Sequence, residues 1–243
     1  MEKKRLSKEV RLSVLAFVLF VTGLIVVIPS AQISAGKGGR KEYLLKQYYP
    51  LSEGKTWNYL QTYADGHKNY EVYCIGGTEK IDGKAADKLW DFDSGNFEEG
   101  EPDYRYDCMA WTKDGLQEYM EVCSDGSHAT YDPPMIRLPH MIRVGTTFKH
   151  TSTRTEYDAD GNKVGSWPCS IEITLEGEED IEVLAGSFRC LRFSWVDKEG
   201  DEEGDKETHW LSPRIGEVKE IGPEADRELI SFTEHNTTYH PGD

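Results

Sequence analysis

Cysteine is scarce: Cys74, Cys108, Cys123, Cys169 and Cys190 are all the chain has in 243 residues. No two lie two residues apart, so there is no dithiol redox motif, no haem-attachment motif and no paired-cysteine zinc spacing. The seven histidines form no HExxH or HxH, which removes the sequence basis for a zinc hydrolase. A Gly-x-Ser-x-Gly elbow is missing, as are a phosphate-cradling glycine loop and a nucleotide fingerprint. No cofactor is implied. Positive charge is short as well: 28 Lys and Arg stand against 44 Asp and Glu, a net of −16. That balance argues against nucleic acid and against adsorption to anionic lipid. Hydrophobic residues make up only 37%, but rings make up 11%. Such a chain can build a core, so general disorder is not expected.

The one long apolar run is at the start. Lys3, Lys4, Arg5, Lys8 and Arg11 precede an uncharged stretch over residues 12–28, followed by Pro29, Ser30, Ala31 and the small residues Ser34, Ala35 and Gly36. This is the layout of a secretory signal, with a cut after Ala35 or Ala31. The run also exceeds the usual apolar region of a signal and nearly spans a bilayer core of roughly 30 Å. Residues 1–35 are therefore a cleaved signal or an uncleaved anchor with its basic end in the cytoplasm. Both alternatives export the body to the periplasm or beyond, tethered to the inner membrane in the second case. Membrane contact is expected only through residues 12–28.

Residues 36–47 read as a basic linker and a short helix ending at Pro50. From 48 to 235, Gly, Asp and Asn punctuate short segments rich in Tyr, Trp, Val, Ile and Thr, the pattern of strands and turns. Trp57, Tyr59, Gln61 and Tyr63 share one face of a strand. Thr112–Gly115 and Asp158–Asn162 each sit between two strands as hairpin turns. Gly177–Asp180 reads as a further turn. Asp91–Asp103 looks like a loop. Asp132–Arg143, with Pro133, Pro134 and Pro139, is expected to be an extended crossover rather than a central strand. Met135, Ile136, Leu138 and Met141 are available for it to pack. Ten to twelve strands without a long amphipathic helix predict an all-β fold. It is a single antiparallel meander forming a curled sheet, half-barrel or barrel. A polar tail, 236–243, follows.

Four segments occur in order: Tyr49-Pro50-Leu51-x-x-Gly54-x-x-Trp57-x-Tyr59; Leu138-Pro139 with Val144-Gly145-Thr146-Thr147-Phe148; Ile181-Glu182-Val183-x-Ala185-Gly186-Ser187-Phe188-x-Cys190-Leu191; and Trp210-Leu211-x-Pro213-x-Ile215-Gly216-x-Val218-Lys219. Together they resemble a broad group of uncharacterised exported bacterial β-rich proteins, over about residues 48–222. The resemblance implies a β-rich exported domain and no reaction. Its residues read as architecture. Gly54, Gly145, Gly186 and Gly216 sit where turns need a permissive backbone. Trp57, Phe148, Phe188 and Trp210 are ring-sized core fillers.

Candidates for chemistry are few. Asp158, Asp160 and Asn162 begin like a calcium loop but lack the later EF-hand ligands, and the same residues make a good tight turn. Cys169 and Cys190 flank a hairpin and are the first candidates for a disulfide. Cys190 beside His209 would be needed for a cysteine nucleophile. Three functions fit. The first is a non-enzymatic envelope domain binding a small apolar ligand or an envelope protein. The second is an envelope hydrolase with a non-standard site. The third is a Ca²⁺-stabilised structural module. A deep pocket with converging polar groups would favour the enzyme, and an apolar groove or filled core would favour binding or structure.

Overall fold

The computed structural model describes residues 41–93, 104–199 and 204–234. The signal or anchor at 1–35, part of the linker and the tail at 236–243 lie outside the described residues. Among the described residues there are fourteen strands: β1 (Glu42–Leu44), β2 (Thr56–Tyr63), β3 (Lys68–Ile81), β4 (Lys84–Asp93), β5 (Tyr104–Trp111), β6 (Gly115–Cys123) and β7 (His128–Pro139), then β8 (Met141–Arg143), β9 (Thr147–Tyr157), β10 (Lys163–Val183), β11 (Gly186–Glu199), β12 (Asp205–Ser212), β13 (Gly216–Ile221) and β14 (Ala225–Thr233). Twelve of them close an antiparallel barrel in the order β10-β11-β12-β13-β14-β2-β3-β4-β5-β6-β7-β9. β1 and β8 pair separately as a two-stranded ribbon. The all-β antiparallel meander expected from the sequence is thus a closed barrel, sealed where β14 meets β2.

Alternation builds the wall. In β10, Cys169, Ile171, Ile173 and Leu175 are buried, while Ser170, Glu172 and Thr174 between them are not. Successive strands add Leu191 and Phe193, Leu211, Val218, Leu229, Leu116 and Leu138, all almost without accessible surface. The segment before β2 plugs the end of the barrel that holds the β5–β6 and β12–β13 turns. Leu45 is fully buried there. Its N–H donates to His140 O (3.1 Å), and Arg214 N–H donates to Gln47 O (2.6 Å). Trp111 Nε1 donates to Tyr49 O (2.8 Å) and Trp57 Nε1 to Ile215 O (2.6 Å).

Several expectations need correction. The short helix before Pro50 is β1 followed by a single 3-10 turn, Leu45–Gln47. It is too short for helical hydrogen bonding to propagate. The Pro-rich segment is no crossover but β7, a strand of the barrel. Its ladder with β9 ends at Asp132, and its pairing with β6 shifts register around the prolines. Side chains replace the missing ladder bonds, with Ser152 Oγ donating to Pro133 O (2.5 Å) and His150 Nε2 lying 3.1 Å from Pro134 O. Met135 and Leu138 pack inside, whereas Met141 is exposed. No turn forms at Gly177–Asp180, because a bulge between Leu175 and Gly177 absorbs the irregularity and β10 runs on for 21 residues. Of the expected Asp91–Asp103 loop, residues 91–93 belong to β4, and 94–103 lie outside the described residues.

The Cys169–Cys190 disulfide does not form. Cys169 pairs with Glu199 and Cys190 with Glu179. Ten strand residues separate those rungs, roughly 33 Å, whereas a disulfide needs Cα atoms within about 7 Å. None of the five cysteines is in a disulfide.

Candidate functional site

A cavity of about 290 Å³ lies within the barrel. Tyr49 of the plug, Leu89, Met109, Leu116, Leu138 and Leu211 supply its apolar lining. The remainder is charged. Asp91, Asp107, Glu118, Glu121, Asp197, Glu207, Glu217 and Glu220 face Arg105, Arg137, Arg227 and His209. These twelve side chains come from eight strands. Pairing hands the charges round the wall: Asp91 opposes Arg105, Asp107 opposes Glu121, His209 opposes Glu220, and Glu220 opposes Arg227.

The charges resolve into two clusters. In the first, His209 lies between two carboxylates, with Nδ1 2.8 Å from Glu217 Oε2 and Nε2 3.0 Å from Glu207 Oε2. Burial alone would lower its pKa. The charge of Glu217 and the hydrogen bonds to Glu207 and Glu217 outweigh it and raise the value to about 10. The ring is therefore an imidazolium donating from both nitrogens. Arg227 donates to Glu217 Oε1 (2.7 Å), to Glu71 Oε2 (3.2 Å), to Glu220 and to Tyr73 Oη. Burial works against ionisation of Glu217, but Arg227 and His209 overcome it and bring its pKa to about 2. Glu220 goes the other way: burial and the charge of Glu217 raise it to about 7 against the pull of Arg227.

His209, Glu217 and Glu220 converge closely enough to hold a metal ion. An imidazolium has no lone pair to offer, however, and Arg227 already occupies both carboxylates. This cluster is an ion-pair network.

The second cluster is Asp107, Glu118 and Glu121, whose oxygens also converge. Arg137 donates to Glu118 and to Asp197 and approaches Tyr131 Oη at 3.4 Å. Glu121 lies 3.8 Å from Arg105 and 3.6 Å from Arg154. Asp107 differs from both. Among the described residues nothing donates a hydrogen bond to its carboxylate or forms an ion pair with it. Its side chain lies deep in the molecule, and the cavity reaches it. Burial, then the charge of Glu118, then Glu121 drive its pKa well above the ordinary carboxylate range, with Arg105 and Arg137 opposing. Asp107 therefore holds its proton more strongly than an ordinary carboxylate does.

Of the candidates for chemistry singled out from the sequence, His209 lies in this cavity, and the others lie elsewhere. Asp158 holds a turn, with Oδ1 accepting from Asp160 N (3.0 Å) and Asn162 N (2.8 Å) and Oδ2 accepting from Asn162 Nδ2 (3.0 Å). Gly54, Gly145, Gly186 and Gly216 all have positive φ, between 77° and 127°. Gly216 also backs onto the Trp57 indole, which a Cβ would meet at 3.5 Å. Trp57 and Trp210 are buried, and Phe148 and Phe188 are partly buried against the core. Trp210 Nε1 donates to Glu179 Oε1 (2.5 Å). Cys190 and His209 form no catalytic pair: burial raises the thiol to about 12, and the imidazole belongs to Glu207 and Glu217.

No family profile and no curated protein matches the chain. Two solved structures are similar to it. One is a candidate lipoprotein of Parabacteroides distasonis, 14% identical, with a TM-score of 0.40, covering 76% of this chain and 98% of its own. The other is a candidate exported protein of Bacteroides fragilis with a YmcC-like fold, 15% identical, with a TM-score of 0.38, covering 77% and 99%. Likeness at that level carries no functional argument.

Proposed function

We propose that the protein is a binding module that works outside the cytoplasm and holds a small polar solute inside its barrel. The carrying observation is the charged cavity. Small barrels of about eight strands have interiors that side chains just fill, and a wider barrel leaves room. Here the room is walled by carboxylates and guanidinium groups rather than by the apolar side chains that line most ligand pockets. An apolar ligand would cut those paired groups off from the water that also solvates them, and taking ions out of water costs several kcal/mol each before pairing offsets it. The occupant is therefore polar, not the apolar ligand expected from the sequence. Export rests on the N-terminal basic and apolar segments.

One observation favours a second reading, a hydrolase run by carboxyl groups. Asp107, a carboxyl that burial biases toward its protonated form, lies near Glu118, and general acid–base catalysis uses such carboxyl pairs. Native mass spectrometry of the protein purified from its own host tests both. A polar adduct lost on denaturation supports the binding module. An acyl-chain adduct or a bare mass overturns it. Turnover of a glycoside or ester library that Asp107→Asn abolishes would replace it with the hydrolase.

A further inference from the structure

We infer that the solute is an organic cation, and that its ammonium or guanidinium group docks on Asp107 between Glu118 and Glu121. This rests on the reading of the cavity as a solute site and adds the ligand's charge and its anchor. Two independent observations point the same way. The cavity wall holds eight carboxylates against three arginines and one histidine, so negative charge is in excess. Within that wall, Asp107 alone of its cluster has no donor among the described residues, while Glu118 is taken by Arg137 and Glu121 lies between Arg105 and Arg154. An acceptor that opens onto an interior cavity and has no donor among the described residues is a place where a ligand's donor fits.

The surroundings decide between a metal ion and an organic cation. Arg105, Arg137 and Arg154 reach the flanking glutamates, so a divalent ion would add two positive charges among three guanidinium groups. A single positive charge with hydrogen-bond donors matches the one unpartnered carboxylate instead. Docking ionises Asp107, so its proton leaves as the cation enters. The groups facing that carboxyl are Glu118 and Glu121 of β6, Arg105 of its own strand and Arg137 of β7, with Tyr49 of the plug nearby. The arginines stay charged and the glutamates beside them stay paired, which leaves Asp107 as the group that titrates on binding.

Isothermal titration with n-butylamine, 1-butanol, butyrate and CaCl₂ as separate probes tests this on the whole exported domain. The expected result is heat from the amine and none from the alcohol, butyrate or CaCl₂. Proton release of up to about one per amine should accompany binding, read from the difference between buffers of unlike ionisation heat. Affinity should rise with pH by up to about tenfold per unit below the Asp107 pKa. Asp107→Asn, which keeps shape and removes the charge, should weaken the amine at least tenfold. The proton count needs no variant and stands even if that substitution misfolds. Binding of CaCl₂ or butyrate in place of the amine overturns the inference. Silence from the amine while the native protein still carries an adduct overturns the charge assignment alone. Silence with a bare native protein overturns the solute cavity as well.

Discussion

His209 shows how much one side chain can carry in this wall. Its imidazolium neutralises two carboxylates that burial would otherwise penalise. Its folded pKa of about 10 lies above the ordinary 6.5. The stabilisation is therefore complete below about pH 6.5 and is lost as pH rises toward 10. Glu217, lowered to about 2, contributes above its ordinary value of 4.5 and loses that contribution as pH falls toward 2. Glu220, raised to about 7, has the opposite sign: stability falls between about pH 4.5 and 7 as the fold resists its ionisation. Removing His209 leaves Glu217 and Glu207 short of a partner. His209→Gln should cost about 3 kcal/mol at pH 6, the scale of a broken buried ion pair, and clearly less at pH 10. Urea unfolding of both proteins at the two pH values checks this. An equal loss at both would show that the ring acts by packing and not by charge.

At the scale of elements, the plug is the least sheet-like part and depends on few contacts. Leu45 is its buried anchor, whereas Leu44 beside it is exposed. Leu45→Ala should destabilise by about 2–5 kcal/mol, as for other buried leucines, and Leu44→Ala by less than about 0.5 kcal/mol. Urea midpoints of the two variants give the comparison. A small loss at Leu45 would mean that the barrel does not need its plug. The sequence made the barrel strands legible because Trp57, Tyr59 and Ile171, Ile173 and Leu175 alternate cleanly. It hid β7, because proline propensity argues against a strand and only tertiary partners such as Ser152 and His150 supply what the prolines lack. It hid the site for a different reason. A strand with one charged face looks the same whether that face meets outside water or a wet interior. In β5, Arg105, Asp107 and Met109 line the cavity, while Cys108 packs with Ala86 and Tyr119 in a separate cluster, with Tyr106 against them. The usual apolar-inside assignment is reversed there, and no local pattern in the strand says so.

For the whole molecule, closure is the decisive event. Every barrel strand pairs with its sequence neighbours except at two seams. One is local, where β8 leaves the wall and β9 takes its place beside β7. The other joins the far ends of the domain, β14 to β2, from Ala225↔Tyr63 to Thr233↔Thr56. Leu229 opposite Tyr59 and Arg227 near Tyr73 tie core and charge network into that seam. Such a long-range pairing pays its loop-closure entropy late, so the barrel should unfold in one cooperative step. Ending the chain before Ala225 would leave β2 and β13 as bare edges and strip Arg227 from Glu71, Glu217 and Glu220. Bare edges recruit other strands, so this truncation should give an oligomeric or aggregated product that binds a hydrophobic dye. Ending the chain after Glu234 keeps the seam and the Lys55–Glu234 pair (2.9 Å) and should leave a cooperative monomer. Size-exclusion chromatography with thermal melting separates the two outcomes. A cooperative monomer from the shorter chain would mean that the sheet is stable open, and that the cavity does not depend on closure of the barrel.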